Sequence, residues 1–322
     1  MRPILRPGSH VLRRNRQELQ IGLDPQHAVV LPDDTSTRSS LSLLSRSADA
    51  REYHDRRTLE LLQSSGLVLD GSRLLPLLPA EPEHPAGPAA KKTDDAVTMR
   101  HDVASLARSD GDRAADLLAA RKKCPVDVVT FADLGNDRLT RTLADLIRQS
   151  GLPVRRSTAR VSRTMPNHAI GTTRPSRGEV AALIGVGEPQ RELLDDWMRL
   201  GVPHVLVRLS EGYPIVGPFV FPGRTACLRC IDAHHTDADR SWPLLVAQYA
   251  GLSGQKRADG VPEPVDSLLT TVALAWAARD LTSYAEGRRP STWSSTIRFD
   301  PYLASVETRS WLRHPECGCA WM

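Results

Sequence analysis

PGRTACLRCID, residues 222–232, carries Cys227 and Cys230 as a C-x-x-C pair, and HPECGC, residues 314–319, carries Cys317 and Cys319 as C-x-C. Of the 5 cysteines, only Cys124 falls outside these two tight pairs. Thiolates two or three positions apart can hold one metal ion from a single turn of chain. Two such pairs complete a tetrahedral all-thiolate zinc site with no open position, the structural kind. A redox C-x-x-C or two disulfides are the competing readings, but a redox pair leaves the C-terminal pair unexplained. The expectation is therefore a structural Zn2+ on Cys227, Cys230, Cys317 and Cys319. It would tie the C-terminal residues onto the middle of the chain and couple metal binding to tertiary structure.

The rest of the composition sets bounds. A chain of 322 residues implies about two domains. Hydrophobic content of 40% with 25% charged residues is ordinary for a globular protein. The net charge of +4 is spread along the chain without a basic run interleaved with aromatics, so nucleic acid is not an expected partner. The arginines of DAREYHDRRTLELL, residues 49–62, are mixed with acids that would repel phosphate. The opening MRPILRPGSHVLRR has no apolar run of signal-peptide length, and no stretch approaches 18 apolar residues, so no membrane partner is expected. Reduced cysteines fit a cytoplasmic location.

Read in order, the chain changes period. Residues 9–31 alternate as three short strands with turns at Asn15 and Asp24-Pro25. Over 34–66, Leu41, Leu43, Leu44, Leu59, Leu61 and Leu62 recur at helical spacing, with Asp33 or Asp34 as N-cap. A hairpin around Asp70-Gly71 closes a winged-helix-like unit over 1–76. Residues 77–97, rich in Pro, Ala and charge, read as a linker. From 98 to 322 strands and helices alternate, which argues for an α/β domain with a mostly parallel, doubly wound sheet. Strands are expected near 126–131, 152–157, 179–187 and 202–210, a long helix over 265–286, and two closing strands before the second cysteine pair.

Four smaller features are weighed here. Gly185-x-Gly187 reads as a tight strand-to-helix turn rather than a nucleotide signal. His234, His235, Asp237 and Asp239 read as a solvated loop rather than a metal or acid–base cluster. Cys124 reads as a buried, inert thiol. The edge of the small N-terminal sheet, at Ala28, Val29, Val30 and Leu31, can accept an extended peptide as an added strand. Leu59 and Leu62 of the neighbouring helix would then supply side-chain pockets.

Three stretches together resemble a known family: RPGSHVLRR…LQIG…AVVL, FPGRTACLRCIDAHHTDADRSWPLL and HPECGC. They are similar to ThiF-like, ubiquitin-activating-type adenylating domains. The nearest branch carries an N-terminal peptide-clamp domain and serves as leader-peptide-binding partner of azole- and azoline-forming (YcaO-type) cyclodehydratases, as in bacteriocin biosynthesis. The resemblance implies a Rossmann-like domain, a precursor (leader) peptide and a modifying enzyme of YcaO or related type as partners, and a fold that commonly pairs into homodimers.

The departures from that family concern ATP. Where it needs a Gly-rich phosphate loop, this chain has Ala132-Asp133-Leu134-Gly135-Asn136-Asp137, with two carboxylates. Arg155, Arg156, Arg160 and Arg163 occur where phosphate-binding groups are expected, but no lysine lies between Lys123 and Lys256. Where an Asp should handle magnesium stands Gly185-Val186-Gly187-Glu188. The degenerate site around Gly135, Gly185, Gly187 and Glu188 implies a non-catalytic partner protein. The alternative is an ATP-dependent adenylyltransferase activating a carboxylate, with Glu188 and the arginines standing in for the missing groups.

Overall fold

A computed structural model describes residues 1–24, 27–79, 90–133, 135, 137–158, 179–257 and 259–321. The chain packs as two units, residues 1–119 and 120–322.

The N-terminal unit runs β1 (Pro3–Leu5), β2 (Val11–Arg13), β3 (Glu18–Ile21), β4 (Val29–Pro32), α1 (Thr35–Ser45), α2 (Arg56–Ser64), β5 (Val68–Asp70), α3 (Gly71–Leu74), α4 (Ala90–Asp110) and α5 (Ala114–Lys122). Strands β2, β3 and β4 form an antiparallel sheet, and β1 pairs antiparallel with β5. Local chemistry sets the helix starts. The Asp34 carboxylate accepts from Thr37 N at 2.7 Å and that of Asp55 from Thr58 N at 3.1 Å, each satisfying an otherwise orphaned helix N–H. Alternation in the strands turns Leu19, Ile21 and Leu31 inward against Leu41, Leu44, Leu59 and Leu62.

Two expectations change here. Asp70-Gly71 is not a hairpin turn: Asp70 ends β5 and caps α3, its carboxylate accepting from Ser72 N at 3.1 Å. The stretch expected as a linker is helical from Ala90 onward, and the packing division falls after residue 119. The physical reason is apolar burial: Val103, Leu106, Ala107, Leu117 and Leu118 close on Leu69 and Leu74. An alanine- and charge-rich composition suits a helix as well as a linker.

The C-terminal unit runs β6 (Val126–Ala132), α6 (Arg138–Gln149), β7 (Val154–Thr158), β8 (Val180–Val186), α7 (Glu192–Leu200), β9 (His204–Ser210), β10 (Tyr213–Val220), α8 (Leu228–Ala238), α9 (Trp242–Leu252), α10 (Ser267–Ala285), β11 (Ser295–Phe299) and β12 (Val306–Ser310). Its seven-stranded sheet has the order β12-β11-β10-β9-β8-β6-β7. Strands β7, β6, β8 and β9 are parallel; β10, β11 and β12 extend the sheet antiparallel, so it is mixed rather than mostly parallel. The segment 211–220 is the return strand of a hairpin turned at Glu211-Gly212. Both sheet faces are covered, which is why the parallel strands read as unbroken apolar runs. Val128, Ile184 and Val207 face Leu143, Leu274 and Leu281 on one side. Leu183 and Leu206 face Leu194, Trp197, Leu228 and Ile231 on the other. No described helix is long and apolar enough to cross a membrane.

Candidate functional site

The four paired cysteines converge. Cys227 is the N-cap of α8 in extended conformation and Cys230 sits in its first turn; Cys317 and Cys319 arrive from the tail beyond β12. All four are buried, and their Sγ atoms are 3.8 Å (Cys227–Cys230), 3.7 Å (Cys227–Cys317) and 3.3 Å (Cys230–Cys319) apart. A tetrahedron with metal–sulfur bonds of about 2.3 Å has sulfur–sulfur edges of about 3.8 Å, whereas a disulfide brings two sulfurs to about 2.0 Å. The spacing therefore fits a metal and not a pair of bridges. Hydrogen bonds from the Cys227 thiol, outweighing burial, pull Cys230 down to about 4; the same contact with Cys230 pushes Cys227 well up. Four thiols this close cannot all ionise without a cation between them. The donor set and its closure fit a metal that holds structure and activates no water. Cys124 stands apart, half-buried against the opposite core, with burial pushing its thiol up.

The tail that brings Cys317 and Cys319 is held by side chains around the cluster. Arg313 donates to Gly223 O at 2.9 Å and to Cys319 O at 3.0 Å. His314 Nδ1 accepts from Glu316 N at 3.2 Å, which leaves its Nε2–H to donate to Asp237 Oδ2 at 2.9 Å. His234 donates through Nε2 to Leu312 O at 2.9 Å, and His235 stacks on Trp242 at 4.3 Å. The loop expected at 234–239 is thus the last turns of α8, with Asp239 as its C-cap. Leu228 and Ile231, three apart, anchor the start of the helix in the core, and the polar residues of its later turns clasp the tail. His234, Asp237 and His314 lie close enough together to suggest a second metal set. His314, however, has both ring nitrogens committed.

The second place of interest lies between β6 and β8. Helix α6 leads from β6 outward to β7 and α7 leads from β8 the other way to β9, so strand order reverses there. Doubly wound sheets bind ligands in the crevice at the carboxyl ends of such strands. Here side chains fill it. The Phe131 ring lies flat on Gly185, where an added Cβ would sit 2.7 Å from the ring. Gly187, at φ +82°, has Ser253 Oγ 2.3 Å from where its Cβ would be, and Gly254 packs onto Ala132. Ser253 Oγ accepts from Glu188 N and donates to Glu188 O, both at 2.9 Å, fixing the turn after α9 onto the strand ends. The amino end of α6, where a phosphate would be welcomed, is taken by a carboxylate: Asp133 accepts from Leu139 N at 3.2 Å.

The groups proposed to replace the missing ATP ligands are also committed. Glu188, 7% exposed, accepts from Arg208 at 2.8 Å through one oxygen and from Arg191 at 2.9 Å through the other. Arg191 in turn clamps Asp232 at 2.7 and 2.8 Å, and Trp242 Nε1 donates to the same carboxylate at 3.0 Å. Burial pushes the Asp232 carboxyl up, but its bonds to Arg191 and the Arg191 charge outweigh this and hold it below the ordinary value. Arg155 sits at the opposite, amino end of the parallel strands, bound to Asp127 at 2.7 and 3.1 Å and to Glu179. Arg160 and Arg163 lie outside the described residues, as do Leu134 and Asn136 of the loop after β6. A cleft of about 430 Å3 remains between α7, α8 and α9, yet its guanidinium groups, Arg191 and Arg229, are each paired with acids. The sequence reading missed Phe131, Ser253, Arg208 and Asp232, which no local pattern marks.

In the N-terminal unit, β4 is an edge strand. The bond Asp33 N→Gln17 O at 2.7 Å fixes the ladder phase, so Val29 and Leu31 bond to β3 while Val30 turns its N–H and C=O outward. Val30 is 38% exposed. Leu31, Leu59 and Leu62 point into the core, at 3%, 8% and 0% exposure, so they support the edge and line no surface pocket; Leu61, at 44%, is the exposed leucine of α2.

No protein-family model and no curated protein sequence matches the chain. Solved structures share its fold. The heterocyclase TruD matches at TM-score 0.56 and 15% identity over 99% of this chain and 42% of its own. A heterocyclase in complex with substrate and cofactor matches at 0.60 and 14%, over 99% of this chain and 39% of its own. MccB of E. coli matches at 0.53 and 11%, over 100% of this chain and 99% of its own. The chain thus spans about two fifths of the heterocyclases and the whole of MccB, and the resemblance drawn from its sequence holds at the level of fold.

Proposed function

We propose that this protein is a non-catalytic leader-peptide-binding partner that presents a ribosomal precursor peptide to a modifying enzyme of YcaO or related type in the cytoplasm. Recognition falls to the winged-helix-like residues 1–76 of the N-terminal unit, where the open edge of β4 pairs with an extended leader segment. The C-terminal unit is a ThiF-like scaffold, its tail stapled by one structural Zn2+ on Cys227, Cys230, Cys317 and Cys319.

The observation that carries this reading is the filled crevice between β6 and β8. Phe131, Ser253 and Gly254 occupy the ligand position of the fold, Asp133 takes the anion seat on α6, and Glu188 has both oxygens tied to arginines. The comparisons support the setting: MccB has been solved with MccA, and a heterocyclase with substrate and cofactor. The heterocyclases carry more than half their length beyond what this chain matches.

Titration of the full-length protein with fluorescently labelled precursor peptide tests the proposal. Saturable binding, lost in Val30→Pro with the thermal melt unchanged, is expected: the Val30 N–H faces outward, so proline removes a donor for the peptide and none from the fold. No saturable binding by the wild type overturns the reading. Pyrophosphate exchange with ATP, abolished by Glu188→Ala, would establish the adenylyltransferase instead.

A further inference from the structure

Residues 311–316 lead from β12 to Cys317 outside any strand or helix, and they lie along α8. The helix offers them one face: Cys230, His234 and Asp237, at i, i+4 and i+7, stand on successive turns. Each of the three meets the tail. Cys230 Sγ accepts from His314 N, His234 Nε2 donates to Leu312 O at 2.9 Å, and Asp237 Oδ2 accepts from His314 Nε2–H at 2.9 Å. His314 is bonded through every polar atom it has, since its Nδ1 accepts from Glu316 N at 3.2 Å and its C=O from Cys317 N at 3.1 Å. It is 5% exposed, whereas the Asp237 side chain is 64% exposed.

These bonds serve a metal at the cysteines in two ways. Four thiolates around one dication leave an excess of negative charge in a buried place, which calls for N–H donors on the sulfurs. The His314 N–H supplies one to Cys230, and it is aimed there only while His314 is held. The second way is entropic. Cys317 and Cys319 follow a stretch with no regular element, and a free tail would have to be ordered anew each time the metal binds. The turn closed between His314 O and Cys317 N, with Glu316 N bonded to the imidazole, gives the pair its ligating shape in advance. Asp237 ties that imidazole to the helix that starts at Cys227 and carries Cys230, so both cysteine pairs share one support.

We propose that His314 and Asp237 are positioning residues for the metal. Asp237 holds His314, and His314 holds Cys317 and Cys319 in place, so the affinity for Zn2+ is set in part outside its four ligands. The proposal rests on the reading of the four cysteines as a zinc site and names what retains the ion there. It gives the group of His234, Asp237 and His314 a role that needs no second ion.

Competition for zinc between the full-length protein and a chelating dye of known affinity tests it. Asp237→Ala should bind zinc about tenfold more weakly and His314→Phe about a hundredfold, the range in which losses of groups behind metal ligands fall. Asp237→Asn keeps an acceptor for the His314 Nε2–H and should recover most of the alanine loss. Asp195→Ala removes the ion pair at 3.0 and 3.1 Å between α7 and Arg229 of α8, and should leave the affinity unchanged. With Co2+ in place of zinc, the sulfur-to-metal charge-transfer absorption should shift in Asp237→Ala, as Cys230 loses its donor, and stay put in Asp195→Ala. Asp237 is exposed, so its variants decide the matter even if His314→Phe fails to fold. Wild-type affinity in Asp237→Ala overturns the proposal. So does Asp237→Asn no better than alanine, or Asp195→Ala as weak as Asp237→Ala. A wild type that binds no zinc overturns the zinc reading itself and this proposal with it.

Discussion

The cysteine cluster and the crevice between β6 and β8 are both crowded with groups that bind ligands elsewhere, yet they differ in what those groups still lack. At the cluster, neighbouring sulfurs stand 3.3 to 3.8 Å apart, and among the described residues no cationic side chain is bonded to them. In the crevice Glu188 holds Arg208 and Arg191, Asp232 holds Arg191 and Trp242, and Asp133 holds the start of α6. A binding site is recognised by unmet demand, not by residue type. The first region asks for a dication; in the second, the carboxylates of Glu188 and Asp232 are already matched by Arg208 and Arg191.

The largest effect should come from the unmet demand. Replacing Cys317 by Ser is expected to release zinc, measured by elemental analysis, and to cost more than about 4 kcal/mol of stability, because metal binding is part of the folding free energy. Cys124→Ser should do neither. Equal metal content in the two variants would break the comparison.

Breaking a committed group comes next. Glu188→Ala leaves Arg208 and Arg191 with an uncompensated charge in a buried site. It should cost about 3 to 5 kcal/mol in urea unfolding. A stability loss with no change in nucleotide titration is the outcome that sharpens the contrast.

His204 is the intermediate case. Its Nδ1 is bonded to Val202 O at 2.9 Å, while Nε2 is buried without a partner. Burial pulls its pKa down to about 4 from 6.5, so the folded state holds it neutral while the unfolded state protonates first. Its contribution is therefore complete above pH 6.5 and is lost as pH falls toward 4, by about 3 kcal/mol in all. Unfolding curves at pH 7 and 5 should show the slope in the wild type and a shallower one in His204→Leu.

The smallest effect concerns the seal. Gly187→Ala places a methyl group against Ser253 Oγ at a φ of +82°, and about 2 kcal/mol should be lost. Adding Ser253→Gly should recover the part due to the contact and leave the part due to backbone conformation. Full recovery would mean that the seal alone sets the cost.

Much of this was readable from residues close in sequence. The two cysteine pairs, the N-cap at Asp33 or Asp34, the alternation of the strands and the apolar runs near 126–131 and 179–187 each rest on spacing within a few positions. The departures from an ATP site were likewise visible as residue identities at 132–137 and 185–188. The misreadings came where local pattern had two solutions. HHTDAD is polar enough for a loop and forms helix because Leu228, Cys230 and Ile231 before it are buried. Asp70-Gly71 suits a turn and instead caps a helix.

By itself, the sequence determined that four thiols would be presented in two turns, that an α/β unit would follow a small sheet, and that the loop after the first strand of that unit holds one glycine and two carboxylates. Each of these depends on periodicity or on the reach of a single side chain. Only the tertiary structure decided that the turn at Ser253-Gly254 fills the crevice beside Gly187, and that Arg208 and Arg191 neutralise Glu188. Those outcomes depend on which distant segments the sheet brings together and on the phase of its hydrogen bonds, and neither is encoded at any one position of the chain.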